Sequence, residues 1–177
     1  MAHDELHHEL HRPACRRGLV VAAVAALLTA LCPLPAAADT LLVATRETVD
    51  GVPCGRPLPL GEGLSAALFA AGHIVFGQDE AATGAAPLLS LAVAGGADLV
   101  LEAEVDWHQK AGGTGPATLS GRVRWTLWAA AAGTAAGTGT VDAGNAGREG
   151  TVDLATLGAE AGAALARAVA PLLGRGE

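Results

Sequence analysis

Positive charge is scarce in this 177-residue chain: 11 Lys and Arg stand against 18 Asp and Glu, a net of −7. Three residues of each sign fall within the first 38, so the remainder keeps the same imbalance. Nucleic acid and anionic lipid headgroups are bound through clustered positive charge, and this balance argues against both as partners. Thiols are scarce as well, with only Cys15, Cys32 and Cys54. The apolar run LVVAAVAALLTAL, Leu19 to Leu31, is about 13 residues, short of the roughly 20 that a membrane span needs. There is no G-x-S-x-G, no H-E-x-x-H and no phosphate-cradling glycine loop. Nor does any repeat of 20 to 50 residues appear. Nothing in the sequence calls for a cofactor.

What the amino terminus does contain is an export pattern. Arg12, Arg16 and Arg17 precede the apolar run, and PLPAAADT follows it, with Ala36 and Ala38 suited to the minus-three and minus-one pockets of a signal peptidase. Residues 1–38 are therefore predicted to be a cleaved signal, leaving residues 39–177 as one α/β domain in the periplasm or outside the cell. A retained anchor is the alternative. His3, His7, His8 and His11 would leave with the signal. The Arg16-Arg17 pair hints at export in the folded state, although the residues after it match that pattern poorly. Lipid attachment at Cys32 is disfavoured by the size of Leu31 before it. Cys54 then becomes the sole thiol, which rules out an internal disulfide. Its remaining fates are burial, pairing with another chain, or reactivity.

Along the mature part, TLLVAT (Thr40 to Thr45) reads as a short buried strand. RETVDGVPCGRPLPLGEG follows, with Pro53, Pro57 and Pro59, and is predicted to be a long loop because proline lacks the ladder donor. From Glu62 the period becomes helical, with Leu64, Ala67, Leu68 and Ala71 on one face and Gly72 as the closing residue before the strand HIVF. His73 is accordingly expected to be the first residue past a helix cap. APLLSLAVAGGA suits a second helix, with Pro87 in its first turn. In ADLVLEAEVDWH the odd positions Leu99 to Trp107 are apolar and Glu102, Glu104, Asp106 and His108 are not, the alternation of a half-buried strand. Val123, Trp125, Leu127 and Ala129 alternate likewise. A hairpin register setting Glu104 opposite Arg124 and Asp106 opposite Arg122 keeps both apolar rows together. A weaker strand spans Thr134 to Asp142. The last helix runs from about Asp153 to Ala170, capped by Thr151 or Asp153 and stopped by Pro171, with Leu154, Leu157, Ala161, Ala164, Leu165 and Ala168 inward.

The order β-α-β-α-β-β-β-α predicts an α/β (α+β-like) fold, a mixed sheet with helices packed on one face. The LF-x-x-GH-x-V turn, the GADLVLEAEV strand and the glycine near the tip of AAAAGTAAGT resemble one group of periplasmic domains. That group comprises lipoprotein activators of penicillin-binding proteins, the curli secretion-channel subunit and the amino-terminal domain of the Tol-Pal translocation protein. The resemblance covers most of residues 39–173 and implies a non-catalytic module that binds other envelope proteins. This chain departs from it in the proline-rich loop and in lacking a convincing lipidation cysteine.

Four features could carry chemistry. Glu102, Glu104 and Asp106 share a strand face opposite arginines, where nothing drives carboxylate pKa values apart, so a wet face with ion pairs is expected. Asp106 and His108 leave the strand on the same side but are two ligands, too few for zinc, and no metal site is predicted. Cys54 with His73 or His108 would make the nucleophilic pair of a small thiol-dependent hydrolase, yet no orienting third residue is identifiable. Trp128 is a large aromatic among Arg122, Arg124 and Thr126, placed either under a covering segment or as an anchor for a partner, whereas Trp107 and Trp125 fall in the apolar rows. Cys54, Arg56, Arg122, Arg124 and Trp128 are thus the candidate binding residues. The reading that results is an exported binding or assembly module whose partner is another envelope protein, with the thiol hydrolase as the alternative.

Overall fold

The computed structural model describes residues 38–55, 58–77, 84–110, 118–144 and 153–174. Residues 1–37 of the predicted signal, Arg56, the tip of the long hairpin and Thr151 lie outside them. The elements in chain order are β1 (Thr40–Val49), β2 (Val52–Pro53), α1 (Pro59–Ala70), β3 (Ile74–Gly77), α2 (Ala85–Gly95), β4 (Leu99–Lys110), β5 (Thr118–Ala129), β6 (Thr134–Gly144) and α3 (Leu154–Val169), with a 3₁₀ turn at Ala170–Leu172. This is the predicted mixed sheet and element order, with a two-residue strand added.

The sheet order is β2-β1-β4-β5-β6, and β3 also pairs with β1. β1 runs parallel to β3 and β4, while β4, β5 and β6 form an antiparallel meander. β4 occupies one side of β1 along Leu41 to Val49, so β3 and β2 share the other. The β4–β5 register sets Glu104 opposite Arg124 and Asp106 opposite Arg122, as the alternation predicts.

The apolar rows meet α1 and α3 on one face. Leu41, Val43, Leu101, Ala103, Val105, Trp107, Val123, Trp125 and Leu127 pack there against Leu60, Leu64 and Leu68 of α1 and Leu157, Ala161 and Leu165 of α3. Each fully buried leucine contributes on the order of 2 kcal/mol of transfer energy. The two helices approach closely because both carry small residues at the crossing. A Cβ at Gly162 would fall on the Leu64 backbone nitrogen, and one at Gly158 on Pro59. These glycines displace the inward stripe of α3 from the expected one: Ala168 is exposed, and Gly158, Gly162 and Val169 are buried.

α2 lies across the reverse face. Leu42 and Val100, whose sequence neighbours face the main core, join Leu88 and Ala92 of α2, with Ala97 and Ala130, in a second, smaller cluster. Chain handedness explains it: the crossover β1-α1-β3 steps outward and β3-α2-β4 steps back past β1. Right-handed connections in opposite directions put successive helices on opposite faces.

The segment predicted to be a long loop is largely structured. Arg46 to Val49 continue β1 in register with β4. Asp50 and Gly51 turn the chain at positive φ, and Val52–Pro53 pairs back onto Thr48 and Val49. Pro53 is tolerated because, among the described residues, β2 has no further strand on its outer side, and Pro59 opens α1 at a position where no intrahelical donor is lost.

Candidate functional site

Glu47 is the most deeply buried charge among the described residues. It continues the inward row of β1 (Leu41, Val43, Thr45, Glu47) and is 3 % exposed. Leu58, at the N-cap position of α1, supplies no capping side chain, and the Glu47 carboxylate does so from a different element. The backbone N–H groups of Leu60 and Gly61 donate to Oε1 at 2.9 and 3.2 Å, and the Trp107 indole donates to Oε2 at 3.3 Å. Burial pushes the Glu47 carboxyl above its ordinary 4.5, against the pull of these three donors. The arrangement anchors the helix to the sheet. No local signal marked it, although an acid at an inward position of a strand and a helix start lacking a cap residue are both visible in the sequence.

Cys54 is half-buried against the main core beside the end of β1, its N–H donating to the Glu47 carbonyl at 2.9 Å. Burial, then the nearby Glu47 and Asp106 charges, push its thiol above the ordinary 9.0. His73 is beside Asp39 at the opposite end of β1, about 25 Å away along the strand. His108 is on the reverse face with Asp106, whereas Cys54 packs on the core face. No thiol–imidazole pair forms.

His73 follows the helix closure the spacing predicts. Gly72 has φ +94°, its N–H donates to the Phe69 carbonyl at 2.9 Å, and the His73 N–H donates to the Leu68 carbonyl at 3.2 Å. Its ring fastens the start of β1: the Asp39 N–H donates to Nδ1 at 3.3 Å, and the Asp39 carboxylate, 3.7 Å from the same nitrogen, accepts from the Gly174 N–H at 2.7 Å. Asp39 thereby ties the two ends of the described fold together.

The reverse face of β4, β5 and β6 carries the remaining candidates. Arg124 pairs with Glu104 at 3.4 Å, and Glu104 also meets Arg46 at 3.8 Å. Arg122 stands opposite Asp106 in register yet turns to Asp142 on β6, with Nε 2.6 Å from Oδ1. Asp106 instead accepts from the Thr48 hydroxyl at 2.6 Å and the Gly51 N–H at 3.0 Å, which hold its carboxyl below the ordinary 3.8. His108 bridges Asp50 and Asp106 at 3.5 and 3.8 Å. A shallow open depression of about 360 Å³ is lined by Asp106, His108, Ser120, Arg122, Arg124 and Asp142. Among the described residues no group of three or more His, Cys, Asp or Glu is placed to hold a metal.

Trp128 lies on this same face, where it packs against the α2 cluster, with its indole Nε1 buried and lacking a hydrogen-bond partner. The face therefore brings together Arg122, Arg124 and Trp128, while Cys54 lies apart from them.

No family model and no curated protein matches the chain. Solved structures do. The PelC dodecamer from Paraburkholderia phytofirmans is similar with a TM-score of 0.54 and 20 % identity, over 78 % of this chain and 90 % of that one. A leucine-to-methionine variant of the same dodecamer gives 0.53 and 20 %, over 80 % and 93 %. Lipoprotein GNA1162 from Neisseria meningitidis gives 0.47 and 15 %, over 75 % and 99 %. The chain shares its fold with PelC. No helix among the described residues is long and apolar enough to cross a membrane.

Proposed function

We propose that this chain is an exported bacterial envelope protein that works as a non-catalytic binding or assembly module, with residues 1–38 removed as a signal and residues 39–177 acting as a single domain. The observation that carries the reading is the commitment of the buried ionisable groups. Glu47 caps a helix and Asp39 joins the start of β1 to Gly174, while Cys54 is separated from both imidazoles by distance or by the sheet itself. A thiol hydrolase needs the opposite arrangement, with the sulfur in hydrogen-bond reach of a base.

Support also comes from the PelC fold, which in the solved structure forms a dodecamer. The contact surface we assign is the reverse face with Arg122, Arg124 and Trp128. Mixed charge beside a half-covered indole is the composition of a protein-binding surface, and it carries no excess of positive charge for nucleic acid.

Two measurements on the protein isolated from its native envelope test the proposal. Intact mass gives a chain beginning at Asp39, and a distinct envelope protein co-purifies in stoichiometric amount. Recovery from the cytoplasm with residues 1–38 intact and no companion overturns it.

A further inference from the structure

Asp39, the residue that follows the predicted cleavage site, is built into the fold through its N–H, its carbonyl and its carboxylate. The N–H donates to His73 Nδ1 at 3.3 Å, the carbonyl accepts from the Ile74 N–H at 3.0 Å, and the carboxylate accepts from the Gly174 N–H at 2.7 Å. Thr40 is held from both sides as well. Its N–H donates to Asp98 Oδ2 at 2.9 Å, its carbonyl accepts from the Asp98 N–H at 2.8 Å, and it pairs with Ile74 of β3. Ala38 is exposed, whereas Asp39 is buried, so the border between solvent and interior falls at the bond that joins them.

A protease takes the residues on both sides of the bond it cuts into its cleft, and in a folded protein only an exposed or locally opened segment can enter. To present Ala38–Asp39, the folded domain has to peel Asp39 and Thr40 away from β3, from Asp98 and from Gly174. An unfolded chain presents the bond freely.

The same surroundings suit the group that cutting creates. Among the described residues the buried Asp39 carboxylate meets no lysine or arginine. His73 Nδ1 is 3.7 Å from it, but that nitrogen accepts from the Asp39 N–H and has no proton of its own to give. A buried carboxylate is stabilised by a positive charge beside it. Hydrolysis supplies one: the oxygen of water joins the Ala38 carbonyl carbon as the C–N bond breaks, and both its hydrogens end on the Asp39 nitrogen, leaving a carboxylate and an α-ammonium.

We propose that the Ala38–Asp39 bond is cut before the domain folds, and that the α-ammonium so created is a structural group of the mature fold, donating to His73 Nδ1 beside the Asp39 carboxylate. The proposal rests on the reading of residues 1–38 as a signal and adds the order of events. It implies export of an unfolded chain, against the hint of folded export in Arg16-Arg17.

Cleavage of the purified 177-residue precursor by a bacterial signal peptidase in detergent, read by intact mass, tests the order. The folded wild type is cut at least about tenfold more slowly than Leu101→Asp, in which a charge at a core position keeps the chain unfolded. Wild type diluted from urea directly into the peptidase serves as a second unfolded substrate. His73→Ala removes the acceptor for the Asp39 N–H, and its folded precursor is cut faster than the folded wild type. In the mature protein isolated from the envelope, acetylation of the Asp39 α-amine at neutral pH is at least about tenfold slower than after unfolding in urea. Folded and unfolded precursors cut at one rate overturn the order, and an α-amine equally reactive in folded and unfolded mature protein overturns its place in the fold. Equal cutting leaves the signal reading standing, whereas a precursor uncut in either state removes that reading and this inference with it.

Discussion

Glu47 Oε1 lies 2.9 Å from the Leu60 backbone nitrogen, so the far end of β1 supplies the cap that the first turn of α1 lacks. Glu47→Ala strands two helix donors and the Trp107 indole in the interior. It should lower unfolding free energy by about 2–4 kcal/mol, read as a fall in the urea midpoint at constant slope. Glu47→Gln keeps one acceptor and should lose roughly half as much.

The same residue sets a pH signature. A carboxyl raised above 4.5 in the folded state holds its proton more tightly there than in the unfolded chain. Its contribution is therefore full below 4.5 and is lost as pH rises through the raised value. The stability difference between wild type and Glu47→Gln should fall with rising pH from about 4.5 and then level. A difference that grows with pH contradicts this. Asp106 and Asp153, both held below 3.8, act in the opposite direction and lose their contributions as pH falls. For Asp153 the cause is the helix N-cap bond to Thr156, at 2.7 Å.

Gly162→Ala is a test of the helix crossing. On propensity alone alanine stabilises a helix by up to about 1 kcal/mol, but here its Cβ meets Leu64 and Gly63 backbone atoms. Destabilisation of about 1–3 kcal/mol is expected by chemical denaturation. Gly77→Ala, whose Cβ meets nothing within 4 Å, should change stability by less than about 0.5 kcal/mol.

Cys54 should behave as a dormant thiol. Burial and two nearby carboxylates disfavour the thiolate, so alkylation at neutral pH is slower than for a small-molecule thiol. His73→Gln and His108→Gln leave that rate unchanged if the fold is intact. An iodoacetamide rate above that of free cysteine, lost in either histidine variant, would revive the hydrolase.

Trp128→Phe removes a buried N–H that has no acceptor. Replacing it should leave stability within about 1 kcal/mol of wild type or raise it slightly, since an unsatisfied donor costs free energy. If the indole anchors a partner, the same variant weakens capture of that partner while the melting curve stays put.

Much of this fold was legible because its two commonest signals were clean. Period-2 alternation in Leu99 to Trp107 and Val123 to Ala129, with opposite charges on the intervening positions, fixed one register, and Leu101 and Leu127 are fully buried while Glu104 and Arg124 stay wet. The number of prolines between Arg46 and Gly63 predicts a loop, but their places decide the structure. Pro53 lies at an edge and Pro59 at a helix start, so neither prevents β1 from reaching Val49. α2 on the reverse face follows from crossover handedness, which needs the strand order and not the periodicity. Arg122 could not be assigned to Asp142 because β6, built of Ala, Gly and Thr, shows too little alternation to fix its register. Glu47 and the closely packed Gly158 and Gly162 depend on elements distant in the chain, and only their spacing hinted at them.

The surface account is tested most directly by placing a photoreactive phenylalanine analogue at position 128 in the native cell and identifying what it captures. The account predicts a discrete adduct with one envelope protein, formed equally well when Cys54→Ser and His108→Ala are added. No adduct from position 128, with an enzymatic activity that disappears with Cys54, would contradict it.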